Sequence, residues 1–183
     1  MKRLISLACA ALALSGCGDG DKAPATPSPQ ATLPAAVSSQ PAQIVGYQAS
    51  LQEGIQFASK PGYPAFIRSA SGLSDYEPHG RWTDGPKTVF AFNEPLPATF
   101  VLTLDLWGAF GPNAGKRVKV KVGDWEGDFA VKEESSLVEL NVKSSTPANS
   151  IEFIIPSPAS PKELGINQDT RKLGVCFRRL SIH

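Results

Sequence analysis

The sequence predicts an all-β fold: an antiparallel β-sandwich of jelly-roll or galectin-like type, set behind a leader and a linker. Three observations predict it. Apolar and polar residues alternate at period two through most of the chain after residue 46. Clusters of turn formers, such as "KPGYP", "TDGPK", "GPNAG" and "STPANS", divide that region at short intervals. No stretch sustains a helical period, and the best of them, "SPKELG", makes one turn at most.

Residues 1–16 read as a signal peptide. Lys2 and Arg3 supply a basic start, and the uncharged run "LISLACAALALSG" follows. That run falls short of the roughly 20 apolar residues a spanning helix needs, and fits the apolar region of a leader. It ends in "LSGC", Leu14 to Cys17, which resembles a bacterial lipobox. The resemblance implies that Cys17 becomes the first mature residue and is acylated. Gly18, not aspartate, follows it, and by resemblance to enterobacterial sorting this implies the outer membrane, facing the periplasm. The expected partner there is the lipid bilayer, reached through the acyl chains.

Residues 17–46 read as a tether. Ala, Pro, Ser, Gln and Thr dominate it, with prolines at 24, 27, 29, 34 and 41. Such a composition cannot bury enough apolar surface to offset the entropy of ordering, so a disordered, partly polyproline II linker is expected.

Residues 47–183 form the expected β-sandwich, of a size that supports its own core. In "TFVLTLDLW" the inward set is Phe100, Leu102, Leu104 and Leu106. "KRVKVKV" offers Val118, Val120 and Val122, "LVELNV" offers Val138, Leu140 and Val142, and "IEFIIP" offers Ile151, Phe153 and Ile155. In the last strand Val175 and Phe177 share one parity while Leu180 and Ile182 take the other. A β-bulge near Arg178–Arg179 reconciles the two halves. Further strands are expected at 53–58, 64–70 and 87–93, for eight or nine in all.

Charge and cysteine content narrow the functional classes. Loss of residues 1–16 removes Lys2 and Arg3, leaving 16 basic side chains against 17 acidic ones. With no basic block, a nucleic-acid binder is not expected. Cys9 leaves with the leader and Cys17 carries lipid, so Cys176 stands alone and no intramolecular disulfide is expected. Its apolar setting, "LGVCFRRL", points to a buried, inert thiol. His79 has no companion histidine except His183, so neither a metal site nor another cofactor is expected. A monomer is expected.

Three separated motifs stand out: "GLSDYEPHGRWTDG", then "FNEPLPATFVLTLDLWGAFGPNAGKRVKVKVGD", then "IPSPASPKELGINQDTRKLGVCFRRLSI". Together they resemble a β-sandwich domain of unknown function. That domain recurs at the periplasmic C-terminus of bacterial membrane phosphoglycerol transferases and related envelope glycosyltransferases. The family pattern E-x-W-G-R-W-S-[DN] is met by Glu77, Gly80, Arg81, Trp82 and Asp84, with His79 in place of the aromatic and Thr83 in place of the serine. F-G-x-N-x-G is met by Phe110, Gly111, Asn113 and Gly115. S-P-x-E-L-G followed by D-x-R-x-L-G is met by Ser160, Pro161, Glu163, Leu164, Gly165, Asp169, Arg171, Leu173 and Gly174. The transferases' large membrane catalytic region has no counterpart in this sequence, so their transfer chemistry is not implied.

The candidate ligand-binding residues are therefore Glu77, Arg81, Trp82, Asp84, Asn113, Asp169 and Arg171. Each has a structural alternative. Glu77, Asp84 and Asp169 could be the paired carboxylates of a glycosidase, or could be held by Arg81 and Arg171 as ion pairs that pin loops. Arg81 is expected to pair with Glu77 or Asp169, leaving Trp82 and Asp84 to face a ligand. Trp82 is either a stacking platform for a sugar or a cap on the core. Asn113 is either a ligand-reading amide or a residue that suits a left-handed turn. All three motifs are expected as turns between strands, where a sandwich keeps its binding loops. The functional expectation is a non-enzymatic, envelope-anchored lipoprotein that binds a carbohydrate or glycan-phosphate. The alternatives are a structural or protein-interaction module with no small ligand, and a glycan hydrolase.

Overall fold

The computed structural model describes residues 46–183. The leader, Cys17 and nearly all of the proline-rich linker lie outside the described residues. Ten strands follow in order: β1 (Ile55–Gln56), β2 (Ile67–Ser71), β3 (Arg81–Asp84), β4 (Lys87–Phe92), β5 (Thr99–Ala109), β6 (Arg117–Val122), β7 (Trp125–Ala130), β8 (Ser136–Lys143), β9 (Ser150–Ile154) and β10 (Leu173–Ile182). The helical content among the described residues is one 3-10 turn, Gly111–Asn113.

These strands make two antiparallel sheets. One runs β1-β10-β5-β8, with β3 alongside the first half of β10, and the other runs β2-β4-β9-β6-β7. Leaving aside β1 and β2, the orders β3-β10-β5-β8 and β4-β9-β6-β7 are those of a jelly roll. The sandwich read from the alternation is present.

Period two explains the core. On β5, Leu102, Leu104 and Leu106 are fully buried, as are Val118 and Val120 on β6 and Ile151 and Phe153 on β9. They are inward because side chains on a strand alternate between faces. At the centre, Phe57, Phe90, Phe153 and Phe177 meet in tilted and edge-on pairs with ring centroids 5.1–6.1 Å apart, the geometry aromatic quadrupoles favour.

The parity change in β10 has the expected cause. Phe177 pairs with Leu106 and Arg179 pairs with Asp105, so Arg178 is the extra residue. This single insertion turns both Val175/Phe177 and Leu180/Ile182 toward the core. A second irregularity lies on the partner strand. Cys176 pairs with Gly108 and Phe177 with Leu106, so Trp107 has no partner on β10.

The fold departs from expectation at several places. The Arg81–Asp84 segment, expected as a turn, is a strand, and its polar sequence conceals that Thr83 is fully buried. The Thr83 hydroxyl accepts the backbone N–H of Val175 at 3.0 Å, so a polar residue occupies a core position with its bond made. Strand β7, "WEGDFA", is not among the expected strands. It is an edge strand pairing with β6 alone, and Phe129 is its one fully buried side chain. Strand β1 shrinks to two residues, and β2 starts three residues later than expected, after Pro64 has bridged to Tyr47.

Candidate functional site

The two irregularities place Trp107 and Arg178 together. Each is the unmatched residue of its strand, and each is pushed out on the face of the sheet opposite the core. The Arg178 guanidinium sits 5.8 Å from the Trp107 ring centre, within cation–π range. Trp107 is 46 % exposed, although Gly108 beside it is covered by the backbone of Glu133. Bulges commonly re-aim side chains at functional positions. Asp105, two residues before Trp107 and so on the same face, has an Oδ 3.6 Å from Arg178 Nε. Leu137 pairs with Asp105 across β5 and β8 and is 66 % exposed on that face.

From Trp107 an aromatic row crosses to β3. The His79 ring lies 5.2 Å from Trp107, the Trp82 ring 6.4 Å from His79, and the Phe110 ring 6.1 Å from Trp82. Trp82 pairs with Cys176, so it stands on the outer face and is not a cap on the core. The tight approach of β3 to β10 requires Gly80. At φ +146°, a Cβ there would lie 2.3 Å from the Phe177 carbonyl oxygen and 3.0 Å from the Cys176 sulfur.

An ion cluster anchors His79 in the middle of this row. Arg171 donates from Nη1 to Glu77 at 2.8 Å and from Nε and Nη2 to Asp169 at 2.9 and 2.6 Å. Hydrogen bonds from Arg171 hold the Asp169 carboxyl below its ordinary range. The same bonds, to Asp169 first and Glu77 second, raise the Arg171 guanidinium further. The second Glu77 oxygen lies 3.1 Å from His79 Nε2. The cluster thus joins three of the seven candidates, Glu77, Asp169 and Arg171, and orients His79 within the aromatic row.

The other candidates have different tasks. Arg81 pairs with Phe177 on the core side and meets no carboxylate among the described residues, which corrects the expected Arg81–Glu77 or Arg81–Asp169 pair. It donates instead to the Ser74 carbonyl from Nε and Nη2 and to the Tyr63 hydroxyl at 2.7 Å from Nη1. Asn113 is 0 % exposed. Its amide donates to the carbonyls of Phe110 and Ser157, and its oxygen accepts the Ser157 N–H. Burial leaves it no surface for a ligand, so it is a lock between loops. Asp84 shares the outer face with Trp82, and one of its oxygens accepts the Lys172 N–H at 2.7 Å. Ser160 and Glu163 cap each other's backbone N–H groups at 3.1 Å, which explains the S-P-x-E spacing.

The outward residues that sequence reasoning passed over are Trp107, Asp105 and Arg178. Trp107 and Asp105 are among the outward members of a strand whose period is legible through its inward leucines, and Arg178 is legible through its bulge alone. A usable signal was present, because an outward tryptophan on a regular strand has no packing reason to be there.

A family model described as a domain of unknown function, DUF7024, matches residues 41–183. The chain belongs to that family. This DUF7024 domain is 32% identical over 118 residues to proteins named Phosphoglycerol transferase I, among them those of Salmonella paratyphi B and Salmonella typhimurium. The match takes in 62% of this chain and 15% of each relative, in the relative's C-terminal region. Among solved structures, the DUF7024 domain is similar to a family 29 carbohydrate binding module, at TM-score 0.48 and 14% identity, over 71% of this chain and 86% of that one. A form of that module complexed with cellulohexaose gives TM-score 0.48 and 14% identity, over 70% and 87% of the two chains.

Proposed function

We propose that the DUF7024 domain binds a glycan of the cell envelope on the outer face of the β3-β10-β5-β8 sheet. The observation that carries this reading is the exposed indole of Trp107 at the head of the Trp107–His79–Trp82 row. A sugar ring has an apolar C–H face and a polar rim, so it stacks on an indole while its hydroxyls reach neighbouring polar groups. Trp107 offers the platform, and Asp105 and Arg178 beside it offer an acceptor and a donor. Glu77 and Asp169 are engaged by Arg171, which supports an ion-pair lock in preference to a hydrolase. Kinship with phosphoglycerol transferases agrees with work at the envelope.

The test is titration of the full chain with a glycan array, before and after Trp107→Ala. The expected result is binding that weakens tenfold or more with little change in melting temperature. Absence of glycan binding by the wild type would overturn the reading. The module would then be structural, a role that the engaged Arg81, Asn113 and Arg171 also support.

We further propose that Cys17 is lipidated and that the linker holds the domain at the membrane, on the strength of "LSGC" after an apolar leader. An alkyne fatty acid should label the wild type and not Cys17→Ala. Labelling that survives the substitution would refute it.

A further inference from the structure

The polar groups around Trp107 differ in what they have left to offer a ligand, and this bears on its charge. Arg171 spends its guanidinium on Glu77 and Asp169. Arg81 is turned inward to Ser74 and Tyr63. Arg178 is different: its Nη groups make no hydrogen bond among the described residues, and the 3.6 Å from its Nε to Asp105 is an ion pair too long for one. Asp105 likewise has both oxygens free of hydrogen bonds among the described residues. One unspent donor group and one unspent acceptor group therefore stand side by side next to an exposed indole.

We infer, resting on the glycan reading above, that this face selects uncharged oligosaccharides and discriminates against those bearing phosphate or carboxylate. A vicinal diol matches the pair: one hydroxyl donates to Asp105 while its neighbour accepts from Arg178. An anion does not match. Tight phosphate recognition uses a guanidinium fork free to bind bidentately, or several cations at once. Here the one available guanidinium is already balanced by Asp105, and an anion bound to it would sit against that carboxylate. Arg179, the neighbouring cation that pairs with Asp105 across the ladder, spends its Nε and Nη2 on the carbonyls of Glu53 and Gln52. The row is flanked by Glu77 and Asp169, with Arg171 between them. The Lys132–Ser135 segment, which binds the Trp107 and Ala109 backbone, brings one lysine and two glutamates. In each of these two groups, two carboxylates stand to one Lys or Arg. Leu137, opposite Asp105, adds an apolar wall where a charged substituent would lose water without gaining a partner.

The experiment uses paired probes: linear gluco-, manno- and galacto-oligosaccharides, each neutral and as its phosphate monoester, titrated into the full chain at low and at physiological salt. The neutral member of the pair that binds should be at least tenfold tighter, with the gap widest at low salt. Asp105→Asn, which keeps the size and removes the charge, should narrow the gap to threefold or less by tightening the phosphorylated member. Trp107→Ala should weaken both members equally. A phosphorylated probe that binds as well as its neutral partner, or a gap unchanged in Asp105→Asn, would overturn the selectivity and leave glycan binding intact. Failure of every probe to bind would overturn glycan binding itself and the selectivity with it.

Discussion

Arg171 Nη1 donates to Glu77 Oε1 across 2.8 Å, and the two residues are 94 positions apart in the chain. This bond ties the loop before β10 to the segment that leads into β3. Those segments carry the third and first of the family's motifs. The same guanidinium holds Asp169, so one side chain sets the position of His79, between Trp107 and Trp82, through Glu77.

Arg171→Ala leaves two carboxylates without their partner. The cluster is partly solvated, so solvent takes up part of the loss, and the expected cost is about 1 kcal/mol. Arg171→Lys should recover less than half of it, because an ammonium cannot make both fork contacts. Urea midpoints measured for the three proteins check this. Equal stability of wild type and Arg171→Ala would show that the cluster does not brace the fold.

The cluster should be acid-labile. The folded Asp169 carboxyl titrates below its ordinary value because Arg171 stabilises the charged form. Asp124 is also depressed, by hydrogen bonds from Ser145 and Ser144. A depressed folded value contributes stability that is fully present above the unfolded aspartate value, about 3.9. That contribution fades as pH falls from there through the folded value. Melting temperature should therefore drop more steeply below about pH 4 in the wild type than in Asp169→Asn. Parallel acid limbs would contradict the assignment.

Asn113→Ala is expected to be the most damaging of the motif substitutions. It strands the Ser157 N–H and two carbonyls that the amide now satisfies, all of them partly buried. The expected cost is about 2–3 kcal/mol, since each unsatisfied buried polar group costs roughly 1–3 kcal/mol. The protein that remains folded should bind glycan with unchanged affinity, because the side chain is wholly interior. A selective loss of binding would return Asn113 to the ligand site.

Cys176 is fully buried and unpaired, and burial pushes its thiol up to about 12. A thiol in that state is a poor nucleophile at neutral pH. A disulfide exchange reagent at pH 8 should leave the native protein unmodified over hours and titrate Cys176 at once in denaturant. Fast reaction of the native protein would show that β3 opens from β10, since Trp82 pairs directly with Cys176.

Local chemistry determined much of this protein. Alternation at period two named the inward residues of β5, β6, β9 and β10, and a parity change located the bulge at Arg178. That works because each residue's face is set by its immediate neighbours on the strand. The same logic missed β3, where a buried threonine satisfied by Val175 looks polar on paper, and β7, an edge strand with one fully buried side chain. The candidate site was legible in part. Glu77, Asp169 and Arg171 do come together, and Trp82 does face outward, but Arg81 turned inward and Asn113 closed a loop. What only the tertiary structure decided was which distant residues meet. Trp107 and Arg178 face each other because unmatched residues on two strands, some 70 positions apart in the chain, fall at the same level of the sheet. Register between strands depends on every pairing along the ladder and on the core beneath it, and no single stretch of sequence records that.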